Sequence, residues 1–120
     1  MIAIAIIAIL MAVLLPNYVR AKSRSRLTTC ESGMRNMATA LELYARNNSD
    51  LYPTSLGLLA PNYMAAIPSC PSAGNNLPYL NGFSSSTTNY TMSCSGSSHQ
   101  DIGVPSGYPQ YYLVGGLKEQ

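Results

Sequence analysis

The first fifteen residues, MIAIAIIAILMAVLL, carry no polar or charged side chain, and Pro16 closes the run. Ala, Leu and Met favour a helix, and the isoleucines among them lack the two-residue alternation of a half-wet strand. As a helix the fifteen residues would extend about 22 Å, at roughly 1.5 Å each. That is short of the ~20 residues a membrane span normally needs. Full exposure to water would cost on the order of 20–40 kcal/mol, at ~1.5–3 kcal/mol per large side chain. A folded domain is stable by only ~5–15 kcal/mol. The stretch is therefore expected to lie in lipid or against other copies of itself. A cleaved secretory signal has an apolar core of similar length, but here no basic region precedes it, and Pro16-Asn17-Tyr18 is not a small-residue cleavage site.

Pro16 removes an amide donor and crowds the carbonyl four residues earlier, which predicts a kink or break. Arg20, Lys22, Arg24 and Arg26 follow. At 100° per residue Arg20 and Arg24 fall on one side and Lys22 and Arg26 nearly opposite, giving a collar rather than one basic face. A nucleic-acid surface prefers one face, so no specific nucleic acid is expected. From Leu27 the pattern turns amphipathic: Leu27, Cys30, Met34, Met37, Leu41 and Tyr44 form a seam at alternating spacings of three and four. Gly33 interrupts good helix formers and suggests a close approach. Asn47-Asn48-Ser49-Asp50, with Pro53 beyond, is a stop signal. Stem and seam are predicted to form one long kinked helix over 1–46.

The remainder is loop-rich, with prolines and glycines making up fifteen of the 74 residues from Asn47 to Gln120. A short helix is predicted over Thr54–Tyr63. Asn89–Cys94 and Gln110–Val114 are the best strand candidates, with a weaker third near Tyr79-Leu80. So small a head buries a modest fraction of its surface and usually needs a staple. The seven tyrosines between Asn47 and Gln120 are expected to fill the core while their hydroxyls reach water.

IAIIAILMAVLLPNYVRAKSR resembles the N-terminal stem of type IV pilins and of the pseudopilins of type II secretion. The resemblance rests on the Ile-Ala-Ile-Ile run, the small and aliphatic residues after it, and Pro16-Asn17-Tyr18 leading to Arg20-Ala21. It covers about a sixth of the chain. YPTSLGLLAPNYMAAIPSCP and the later YTMSC are similar, less specifically, to small pilin-like heads. The family's stem opens with Phe, Thr or similar, Leu, Ile, Glu and a further aliphatic residue. This chain starts inside that segment, so the family's methylated N-terminal residue and stem glutamate have no counterpart here. Ala8 stands where the family often has a glycine, which argues against unwinding before Pro16 on assembly.

The resemblance implies an α+β, pilin-like fold: a long kinked N-terminal helix packed against a small loop-rich antiparallel sheet. Residues 1–26 would be the stem with its basic collar and 27–120 the head, including the upper half of the helix. Ile2, Ile4, Ile6, Ile7, Ile9, Leu10, Val13, Leu14, Leu15 and Pro16 would form the filament core, and before assembly the inner-membrane anchor. The implied role is a structural subunit that polymerises with itself into a type IV pilus-like extracellular filament on the cell surface, helped by pilus or secretion assembly machinery. Basic residues beside a span tend to stay cytoplasmic, whereas the family's head lies outside, with the inside charges in its leader. The alternatives are a pseudopilin acting as a short secretion piston and a membrane-tethered binding module that never polymerises.

Three cysteines allow three pairings and leave one over. The expected bridge joins Cys70 to Cys94, 24 residues apart in the head, where loop closure would contribute roughly 3–3.5 kcal/mol. Disulfides persist outside the cytosol, in keeping with an exported head. Cys30, on the seam, is then a buried free thiol, with an intermolecular bridge through it as the lesser alternative. A metal site built from Cys94, His99 and Asp101 matches no zinc spacing. Asp101 is the only acid between Asp50 and Glu119, too few for calcium. No cofactor or metal is expected. No nucleophile motif or phosphate loop is present and His99 is the only histidine, so no enzyme is expected. Ser84, Ser85, Ser86, Thr87 and Thr88 form a candidate O-glycan cluster, with a plain surface loop as the other reading.

Overall fold

The computed structural model describes residues 1–74 and 78–119; Gln120, the last residue of the expected head, lies outside them. Helix α1 (Ile2–Asn47) has 46 residues. At roughly 1.5 Å per residue it measures about 69 Å, close to the 72 Å long axis of the molecule. It continues through Pro16 without ending there. A proline costs the helix one ladder bond and crowds one carbonyl, and the helix carries on past that loss to Asn47. The stop falls where the Asn-rich run placed it. Asn48 Nδ2 donates to the Tyr44 carbonyl at 2.8 Å, the Asp50 amide donates to the Ala45 carbonyl at 2.8 Å, and Ser49 and Asp50 both adopt positive φ.

The head is α+β. After a 3-10 turn over Leu56–Leu59 come a single helical turn, α2 (Pro78–Asn81), then strands β1 (Phe83–Ser86), β2 (Asn89–Ser93), β3 (Gln110–Tyr112) and β4 (Gly116–Lys118). A second 3-10 turn, Gln100–Ile102, lies in the connection between β2 and β3. The strands form an antiparallel meander in the order β1-β2-β3-β4, with Phe83 opposite Met92, Met92 opposite Tyr111 and Tyr111 opposite Leu117. A long N-terminal apolar helix with a small antiparallel sheet is an arrangement consistent with a pilin-like fold.

Three local expectations are corrected. The helix predicted over Thr54–Tyr63 shrinks to Leu56–Leu59, capped by the Ser55 hydroxyl accepting from the Gly57 amide. Gly57 and Pro61 disfavour anything longer. The weak strand near Tyr79-Leu80 is instead α2, begun by Pro78, whose fixed φ suits a first helical turn. Part of the serine cluster forms a strand: Ser84, Ser85 and Ser86 belong to β1, and Thr87 and Thr88 make the hairpin connection. Ser85 also donates to the Pro53 carbonyl at 2.8 Å.

The core sits where the seam of α1 meets the sheet. Cys30, Met34, Met37 and Leu41 are fully buried, and Leu27 and Tyr44 at the seam's ends are half-buried. They pack with Leu56, Leu59, Cys70, Tyr79, Tyr90, Met92 and Cys94. Tyr90, Met92 and Cys94 are successive same-face positions of β2 and its extension. Tyr52 meets Tyr90 edge-on at 4.9 Å between ring centroids, and Tyr111 stacks on Tyr90 at 6.4 Å. The expectation for the tyrosines holds in part: Tyr52, Tyr63 and Tyr111 pack half-buried against the core, but Tyr79 and Tyr90 are buried whole, hydroxyl included, and Tyr108 and Tyr112 lie half-buried outside the cluster.

Candidate functional site

The lower half of α1 has no cover within the chain. Every residue from Met1 to Lys22 is exposed, Ser23 being the first that is partly shielded. The side chains assigned to a filament core from the sequence all point into the open: Ile2 is 79% exposed, Ile7 58% and Val13 69%, with Ile4, Ile6, Ile9, Leu10, Leu14, Leu15 and Pro16 likewise outside. This is the one helix of the described residues long and apolar enough to cross a membrane, and none of its apolar window is buried. Because α1 is continuous through Pro16, the apolar surface reaches on to Tyr18 and Val19, further than the fifteen-residue run suggested. Leaving large aliphatic side chains half in water along this whole length would cost on the order of 10 kcal/mol or more.

Above the stem, Arg20, Lys22, Arg24 and Arg26 are all exposed, as a collar requires. Arg26 lines an open polar cleft of about 700 Å³ with Asn81, the Ser95–Ser98 stretch and Asp101. Asp101 accepts a hydrogen bond from Ser23 of α1, so this acid ties the head to the stem.

A second feature lies inside the head. Cys30, Cys70, Cys94 and His99 converge, each buried, with one ligand atom from every residue within 4.8 Å of the others. Four separate elements deliver them. Cys30 projects from the seam of α1. Cys70 opens a turn in which Ala73 donates to its carbonyl at 3.0 Å, with Pro71 at the position that favours this geometry. Cys94 extends β2 by one residue, its amide donating to the Pro109 carbonyl at 3.0 Å. His99 begins the Gln100–Ile102 turn, and its carbonyl accepts from Ile102 and Val104. Its ring is 2% exposed.

Within the cluster His99 Nε2 lies 3.2 Å from Cys70 Sγ. The Tyr79 hydroxyl lies 3.0 Å from Cys30 Sγ and 3.2 Å from the Cys30 carbonyl, and donates to this pair. His99 Nδ1 is buried without a hydrogen-bond partner among the described residues. The thiols share protons unequally. Hydrogen bonds from Cys30 and then Cys94 hold Cys70 well below the usual thiol range. The bond to Cys70, then Cys94 and burial, push Cys30 far up. Cys94 is lowered by its Cys30 bond but raised by Cys70 and burial, and ends at about 11. Burial, then the Cys30 bond, pushes Tyr79 upward and keeps it a phenol donor.

Chemically this is three soft thiol donors and one imidazole around a common point. Cys70 and Cys94 do come together, as the expected bridge requires, but all three cysteines are free, and two residues outside that pairing share the site. The Cys94–His99–Asp101 set weighed from the sequence is not the one assembled, since Asp101 faces Ser23. Sequence reasoning missed Cys30 and Cys70 as partners of His99 because they lie 69 and 29 positions away from it. The one local signal was the four-residue gap between Cys94 and His99. Comparisons with protein-family models, curated proteins and solved structures give no match to this chain.

Proposed function

We propose that this chain is a structural subunit of a type IV pilin-like surface filament, in which the bare half of α1 packs with the stems of other copies and the head faces solvent. The observation that carries this reading is the exposed apolar surface of α1 from Ile2 to Val19, joined without interruption to a seam that holds a folded head. The stem-like sequence supports it. Before assembly the same surface would anchor the subunit in the inner membrane, and the exposed collar would sit at the headgroup level. Pseudopilins use a similar stem for a short secretion piston, and that role is separated from a pilus by filament length rather than by any residue here.

The test is replacement of Ile7 by Asp. An unpaired charge in an apolar core is costly, so the variant is expected to vanish from surface filaments sheared off the producing cells. Ile7 touches no part of the head, so the variant's head should melt as the parent does. Normal amounts of Ile7→Asp in sheared filaments would overturn the core-packing reading. Parent chain confined to the membrane fraction, with no filaments, would favour the tethered binding module.

A further inference from the structure

We propose that Cys30, Cys70, Cys94 and His99 form a structural zinc site that fastens the head to α1. The site stands whether or not the chain polymerises.

All four residues are buried and their donor atoms lie within 4.8 Å of one another. A tetrahedral site with Zn–S bonds of about 2.3 Å and a Zn–N bond of about 2.0–2.1 Å places its donors roughly 3.6–3.8 Å apart. The cluster is therefore near the required size before any ion enters, with no donor pair more than 4.8 Å apart. Three cysteines and one histidine are a standard donor set for closed zinc sites, and thiolates select soft or borderline metals over calcium or magnesium. His99 is the second observation. Apart from the tyrosines, it is the one polar or charged side chain among the described buried residues of the head, and burying an imidazole among apolar groups is unfavourable without a strong partner. Its Nε2 already faces the sulfur cluster, 3.2 Å from Cys70 Sγ. A Cys70–Cys94 disulfide would use two of the four groups and leave Cys30 and His99 buried with no role. A metal uses all four.

On binding, Cys30, Cys70 and Cys94 coordinate as thiolates, and the thiol protons they still hold pass to solvent as three Zn–S bonds form. His99, neutral, supplies the fourth bond through Nε2. The Tyr79 hydroxyl, 3.0 Å from Cys30 Sγ, is placed to donate to that thiolate. No electrons are exchanged. The ligands come from α1, the loop before α2, the end of β2 and the β2–β3 connection. One ion therefore ties three other segments of a thin core to the helix, the task first assigned to a disulfide.

The experiment uses the full chain purified in detergent under reducing, metal-free conditions. Zinc content is measured after equilibration with zinc and removal of the excess, and cobalt is added to a second sample. The expected result is one zinc per chain, and with cobalt the thiolate charge-transfer and strong visible bands of a tetrahedral site. Metal should also raise the melting temperature of the head. Changes outside the ligand shell alone lower metal affinity by about 10–100-fold, so Cys30→Ser should weaken binding by at least about 100-fold. His99→Cys should retain the metal, because it keeps a fourth donor; this variant remains informative even if Cys30→Ser folds poorly. Three titratable thiols with neither zinc retention nor a cobalt spectrum would overturn the proposal. So would one thiol per chain in protein isolated without reductant, showing a Cys70–Cys94 disulfide.

Discussion

Two glycines lie close to the machinery of the head and respond oppositely to the same substitution. A methyl group on Gly33, in the middle of the seam, would rest 3.5 Å from Pro68 and from the Tyr79 hydroxyl, ordinary contact distance. The close approach suggested by the sequence is real but leaves room for one methyl. Gly33→Ala should therefore stabilise the head by about 0.5–1 kcal/mol through helix propensity and a stiffer unfolded chain, raising its melting temperature by a few degrees. A methyl on Gly82 would fall 2.1 Å from the Ser93 carbonyl oxygen, and Ser93 donates back to Gly82 at 2.9 Å. Gly82→Ala must push two backbones apart and should cost about 2–3 kcal/mol, measurable by denaturant unfolding of the full chain. Nothing in the sequence separates these two glycines, because the difference lies in what the fold brings opposite them. The thiol cluster was hidden for the same reason. Cys30 reads as one more apolar seam residue, and only the packing of four distant elements reveals that it faces Cys70, Cys94 and His99.

At the level of elements, α1 was the most legible part of the chain, since both of its signals are local. An unbroken apolar run marks the lower half, and a three-four spacing from Leu27 to Tyr44 marks the face that the structure buries. That division predicts a contrast between two neighbouring leucines. Leu41 is fully buried and Leu43 is 49% exposed. Leu41→Ala should destabilise the head by about 2–5 kcal/mol, while Leu43→Ala should stay within about 0.5 kcal/mol in the isolated chain. Equal losses would contradict the assigned seam. The strands were partly legible. β2 and β3 carry Tyr, Thr and Met or paired tyrosines, whereas β1 is three serines behind Phe83 and β4 starts at a glycine. Those two edge strands owe their conformation to pairing with β2 and β3 rather than to propensity, so sequence alone read them as loop.

For the whole molecule, a compact head is built on the upper part of a helix whose lower part it leaves bare. Within one chain that arrangement is unsatisfied, and the apolar surface from Ile2 to Val19 requires an apolar environment from outside. In the proposed filament neighbouring stems would supply it, and lipid would supply it before assembly. The most direct test is helical reconstruction by electron microscopy of filaments sheared from the producing cells. The account predicts thin filaments into which this sequence builds, with α1 residues 2–19 packed on the stems of neighbouring copies along the axis and the heads outside. Filaments lacking this chain, or a stem with no contact to other stems, would contradict it.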